Sequence, residues 1–75
     1  MIHYANYDGK SGVVAYQIDQ GSITVEFDDG SIYLYNTHST GPNNIAEMQR
    51  LAMAGQGLNS YINRFVKRQY ADKIR

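Results

Sequence analysis

Five cations near the end of the chain, Arg64, Lys67, Arg68, Lys73 and Arg75, with Tyr70 among them, come closest to a recognisable chemistry. That chemistry is polyanion binding. At 100° per residue, Arg64, Lys67 and Arg68 fall on one face of a helix, opposite an apolar arc of Leu58 or Tyr61, Ile62, Phe65, Val66 and Tyr70. Such a face can neutralise phosphates, with Asn63 and Tyr70 as neighbouring contacts, and each phosphate contact adds to the salt dependence of binding. The same pattern describes an ordinary solvated helix end, where the macrodipole favours cations. A second candidate is the pair Tyr33 and Tyr35, two residues apart and so on one face of a strand, where aromatic rings can stack on bases.

Catalytic chemistry has little to work with. His3 and His38 are the only histidines, cysteine is absent, and no serine sits in a nucleophile elbow or beside an obvious base. Gly55-Gln56-Gly57 lacks the third glycine and preceding strand of a dinucleotide loop. Asp28 and Asp29 are turn residues before they are an acid pair. An amino terminus with histidine at position 3 can hold Cu(II) or Ni(II) in a square plane, but no further ligand supports more than adventitious binding. The expectation is a noncatalytic protein without cofactor or metal.

The 75 residues suffice for one domain, residues 1–75, with a small core that neither disulfides nor thiolate metal sites can supplement. Met1 to Tyr7 has no basic segment followed by an apolar run, and no stretch is long and apolar enough to span a bilayer. The expectation is therefore a cytoplasmic protein with no membrane partner. The formal net charge of zero hides a segregation. Residues 1–49 carry Lys10 against six acids, and residues 50–75 carry six bases against Asp72. A basic face on a neutral protein can still attract polyanions.

Two kinds of element must position these residues. Val13 to Ile18 reads as a strand with Val14, Tyr16 and Ile18 on one face, and Ser22 to Phe27 as a second with Ile23, Val25 and Phe27 facing a core. Asp29-Gly30 is a strong hairpin signal, and Ser31 to Asn36 follows as the third strand. Asn36 to Asn43 reads as a loop. Pro42 opens a helix whose stripe is Ile45, Met48, Leu51 and Ala52, and Gly55 ends it. Asn59 or Ser60 is placed to cap a second helix. The fold class is α+β, a three-stranded antiparallel meander followed by two helices packed on one face, with Phe27 and Phe65 buried between sheet and helix. Residues 1–11 leave room for a short additional edge strand.

The order of Ser11, Tyr16, Ile23-x-Val25-x-Phe27-x-x-Gly30, Tyr33-Leu34-Tyr35, a helix ending in Ala54, Gly57-Leu58-Asn59, Ile62 and Tyr70 resembles the KTSC domain. This is a short bacterial module found alone or at the C-terminus of some lysyl-tRNA synthetases. The resemblance spans residues 11 to 74, departing where Pro42 follows a longer polar loop and where Gly55 replaces a serine. It implies Tyr33, Tyr35, Phe27 and Asn59 as motif residues, and RNA as a partner.

The direction of the two tyrosines depends on the hairpin. A two-residue Asp29-Gly30 connection leaves them outside; a three-residue Asp28-Asp29-Gly30 connection, with Gly30 left-handed, turns them inward with Val25 and Phe27. The polar residue between the tyrosines in sequences of the resembled family favours the inward register. Ile32 and Leu34 then lie on the other face beside Val13 and Ala15, where residues 1 to 7 or a second subunit must cover them. The sequence thus supports a small binding module with weak RNA binding through a basic C-terminal helix, or alternatively a protein-interaction or homodimerisation module.

Overall fold

Alternating apolar and polar residues carry the chain through three antiparallel strands, β2 (Val13–Asp19), β3 (Ser22–Phe27) and β4 (Ile32–Asn36), in the computed structural model, which describes residues 1–75. Two further strands, β1 (Ile2–His3) and β5 (Asp72–Lys73), extend the meander at either edge, giving a sheet of order β1-β2-β3-β4-β5. The expected three strands are therefore five. The added pair are two residues long, too short to carry an alternating signal, and they satisfy edge N–H and C=O groups that three strands would leave open.

Period-2 reading also fails once inside β2. Val13 pairs with Phe27 and Ala15 with Glu26, so a bulge at Val14 absorbs one residue. Val13, expected on the outer face, is 1% exposed in the core, and Val14 is only half-buried. Tyr4, just beyond β1, also turns inward: its ring meets Tyr16 edge-on at 6.5 Å and its hydroxyl accepts the Leu58 N–H at 3.3 Å.

One inner face of the sheet is covered by helices. Asn36 caps a single turn, α1 (Thr37–Thr40), by accepting the Ser39 N–H at 2.8 Å while the Ser39 hydroxyl accepts the Asn36 N–H, so the expected loop begins with a capping box. α2 (Pro42–Ala54) starts on Pro42 and buries Ile45, Met48 and Ala52. Gln49 reaches from it to the Asp19 and Ser22 carbonyls, fixing it against the β2–β3 turn. α3 (Leu58–Tyr61) is entered through left-handed Gly57 and not capped by Asn59 or Ser60, and it runs on into a π turn, Ile62–Val66. The π turn winds wider than an α-helix, which keeps Leu58, Ile62 and Val66 in the core and leaves Phe65 55% exposed. The expected burial of Phe65 is overturned; it packs on Tyr61 at 4.8 Å at the surface. Phe27 is partly buried against the core. No helix is long and apolar enough to cross a membrane.

Gly55 closes α2 at φ 76°, its N–H bonded to the Leu51 and Ala52 carbonyls and its own carbonyl accepting the Tyr7 N–H. A Cβ there would stand 2.6 Å from Ala5 Cβ and 2.9 Å from Tyr7 Cε2, whereas Gly9 has the same handedness, φ 72°, with nothing within 4 Å. Gly55→Ala should therefore cost about 2 to 4 kcal/mol and lower Tm by on the order of 10 °C or more, while Gly9→Ala costs about 1 kcal/mol. Thermal melts of the two variants check this; equal losses would show that contact with residues 5 and 7 is unimportant.

Candidate nucleic-acid interface

The hairpin between β3 and β4 sets the direction of the aromatic residues. The Phe27 N–H donates to the Ser31 carbonyl at 2.8 Å and the Gly30 N–H to the Phe27 carbonyl at 2.9 Å, leaving a three-residue connection, Asp28-Asp29-Gly30, with Gly30 at φ 89°. Tyr33 then stands opposite Val25 and Tyr35 opposite Ile23, on the inner face. The Asp29 carboxylate is occupied within the turn, accepting the Ser31 N–H at 2.9 Å and hydroxyl at 2.6 Å, and these bonds hold its carboxyl below the usual range.

Four rings gather as a result. Phe27 meets Tyr33 at 5.8 Å, Tyr33 meets Tyr70 at 4.8 Å, and Tyr35 meets Tyr70 at 6.4 Å, all edge-on. They form one wall of a cleft of about 420 Å³ between the hairpin and the C-terminal helix. Asn59, Asn63 and Lys67, spaced by four residues, line it from the helix side together with Ile62 and Arg68. Gly12, Asp28, Asp29 and Ser31 line the end nearest the turn. Tyr35 is 1% exposed, and burial, reinforced by Tyr33 and Tyr70, pushes its phenol up to about 12. Burial also raises Tyr4, against the opposing Leu58 N–H bond.

The expected basic surface is divided by this geometry. Helical structure stops at Val66, so Lys67 and Arg68 lie just past it and Tyr70, Lys73 and Arg75 lie off the helix altogether. Lys67, Arg68 and Tyr70 line the cleft, and Lys73 on β5 places its Nζ 5.9 Å from the Tyr33 ring centroid. Arg64 instead stands over Phe65 at 5.5 Å, outside the cleft. Arg75 donates to the Gly30 carbonyl at 3.0 Å and pairs with Glu26 at 3.3 Å on the outer sheet face. A continuous basic helix face that includes Arg64 and Arg75 is thus not present, because the chain turns back after Gln69 to hydrogen-bond along β4. The Thr40 hydroxyl anchors that reversal by donating to the Gln69 carbonyl at 2.5 Å.

The four motif residues Phe27, Tyr33, Tyr35 and Asn59 all line the same cleft. Gly12 and Ser31 were not foreseen as lining, and Asp28 and Asp29 were read only as turn residues. The four-residue spacing of Asn59, Asn63 and Lys67 was visible in the sequence and indicates a common helical wall. Neither histidine lines the cleft, and no cluster of three or more His, Cys, Asp or Glu side chains is arranged to hold a metal ion. No family model, curated protein or solved structure matches the chain.

The raised phenols give stability a pH dependence of definite sign. A group whose folded pKa lies above its unfolded value stabilises fully below the unfolded value, about 10 for tyrosine, and loses that contribution as pH rises through the folded value. For Tyr35 the window runs from the ordinary 10.0 to about 12. Tm should fall through this window, and Tyr35→Phe should make the fall shallower. An unchanged alkaline slope in Tyr35→Phe would show that the Tyr35 phenol is not the group responsible.

Proposed function

We propose that the protein is a noncatalytic binding module that takes single-stranded RNA in the aromatic and basic cleft. The observation that carries this reading is the convergence of Tyr33 and Tyr70 with Lys67 and Arg68 on one opening of nucleotide size. Base stacking on aromatic rings contributes about 1 to 3 kcal/mol per base and tolerates any sequence, while lysine and arginine neutralise the adjoining phosphates. RNA is preferred as the ligand because of the resemblance to the KTSC domain. Affinity should be weak, since only Lys67, Arg68 and Lys73 are available at the cleft; Arg50 is paired with Glu47 and Arg75 with Glu26.

Fluorescence anisotropy with labelled oligouridylate tests the reading. The salt slope should be shallow, about −1.4 to −2 for two or three released counterions on a single strand. Tyr70→Ala and the double variant Lys67→Glu, Arg68→Glu should weaken binding about tenfold or more, while Arg64→Glu, outside the cleft, should change it less than twofold. Absence of wild-type binding at low salt, or an Arg64→Glu loss as large as that of the double variant, would reject the cleft as the RNA site.

A second reading, protein interaction or homodimerisation, rests on the outer face of the sheet. No helix lies over it: Ile32 and Leu34 are half-buried opposite Glu26 and Thr24, and nearby Ile74 is 55% exposed. Residues 1 to 7 do not cover it, since β1 pairs at the far edge and Tyr4 turns to the core. If a second copy does, light scattering will report a dimer that Leu34→Lys converts to a folded monomer. A wild-type monomer at high protein concentration counts against this reading.

A further inference from the structure

The cleft is polar in opposite senses at its two ends. At the hairpin end, the Asp28 N–H donates to the Gly12 carbonyl at 2.7 Å, and a Cβ on Gly12 would meet Asn59 Oδ1 at 3.4 Å and Asp28 Oδ1 at 3.7 Å. Asp28 Oδ1 and Asn59 Oδ1 therefore flank the Gly12 Cα, two acceptors on one side of the cleft. Unlike Asp29, whose carboxylate is occupied by Ser31, Asp28 has no side-chain hydrogen bond or ion pair. Asn59 and Asn63 likewise make none. The cationic end lies just beyond the helical wall, at Lys67 and Arg68. Lys67 is eight residues beyond Asn59, just past the end of the π turn.

A ligand complementary to this cleft has a flat apolar body for the rings, hydrogen-bond donors at one end and an anion at the other. We infer that the cleft selects guanine among the RNA bases, with Asp28 reading its Watson–Crick edge while Lys67 and Arg68 face the phosphate. The inference rests on the RNA reading of the cleft and adds base identity to it.

The selection follows from donor and acceptor chemistry. An ionised carboxylate only accepts hydrogen bonds. Guanine alone presents two adjacent donors, N1–H and N2–H₂, which a carboxylate can accept side by side. Adenine and cytosine each offer an amino group next to a ring nitrogen lone pair, which the carboxylate repels. Uracil offers a single N3–H between two carbonyl oxygens, with the same repulsion on both sides. The Asn59 Oδ1, the atom nearest the position of a Cβ on Gly12, adds a further acceptor at this end, as the guanine amino group requires. Reading an unstacked base by its Watson–Crick edge while its face rests on aromatic rings is a general mode of single-stranded RNA recognition. Lys67 and Arg68 also weigh against a cationic peptide at the same rings, because such a ligand would meet like charge.

Anisotropy with labelled oligouridylates carrying guanosine, adenosine, cytidine or uridine at the centre tests this at one fixed salt concentration. The guanosine strand should bind about tenfold or more tightly than the other three, within the discrimination ordinary for a bidentate base contact. Asp28→Asn keeps the shape but replaces one acceptor with a donor, and should bring the four strands within about twofold. Four equal wild-type affinities would overturn guanine selection and leave the RNA reading standing. A preference that survives Asp28→Asn would remove Asp28 as the reader. Failure of all four strands to bind at low salt would reject the RNA reading and this inference together.

Discussion

A single left-handed residue in the β3–β4 hairpin decides which face of the sheet becomes aromatic. Gly30, at φ 89°, closes a three-residue connection, and the strand period of two then fixes every side chain of β4. With one residue fewer, Tyr33 and Tyr35 would point away from the helices and Ile32 and Leu34 would enter the core. The observed register places Tyr35 under the helices and Tyr33 at their edge, so the cleft wall is a direct extension of the hydrophobic core. Its rings are held by the same packing that folds the domain. This favours a preformed site, because little side-chain freedom remains to be lost on binding.

The opposite wall depends on the core in the same way. Leu58, Ile62 and Val66 are buried along the C-terminal helix, which sets Asn59 and Asn63, and Lys67 just past its end, on the adjoining flank that faces the cleft. The tail then completes the cleft. Gln69 is tied to Thr40, Ala71 to Leu34 and Ile74 to Ile32, and between these anchors Tyr70 is laid against both Tyr33 and Tyr35. A residue eight positions past the π turn, Ile74, thus helps hold a ring that lies at the front of the cleft. Few of these tail contacts bury apolar surface, so β5 belongs to the less stable part of the sheet.

Much of this architecture was legible in the sequence, and its failures have identifiable causes. Alternation located β2, β3 and β4, and the stripe of Ile45, Met48 and Ala52 located α2, because these segments are long enough for a period to emerge. Strands of two residues have no period, so β1 is foreseen only as room for a short edge strand within residues 1–11, and β5 is not foreseen at all. The bulge at Val14 and the π turn at Ile62–Val66 each shift the phase by one residue, and each misassigned a side chain: Val13 was expected outside and is inside, Phe65 the reverse. Tyr33, Tyr35, Phe27 and Asn59 were all identified and all converge. The cations were identified by type, but their grouping assumed one uninterrupted helix. Once the chain reverses at Gln69, Lys73 on β5 reaches Tyr33 while Arg75, beyond that strand, reaches Gly30 and Glu26, a consequence of long-range pairing that helical spacing does not encode.

The sequence-level charge segregation acquires a different meaning in three dimensions. An acidic first half and a basic second half could have folded into separate surfaces, one of them a general attractor for polyanions. Instead the hairpin that carries Asp28 and Asp29 faces the segment that carries Lys67 and Arg68 across one cleft. Opposite charges lining one cleft offset one another at a distance, and salt screens the remainder over about a Debye length, roughly 8 to 10 Å, leaving little field to steer a distant polyanion. Within the cleft they do not cancel, because a ligand meets them one at a time. On the proposed RNA reading, such an arrangement favours discrimination at contact over rapid nonspecific capture, the balance expected of a site that distinguishes one end of its ligand from the other.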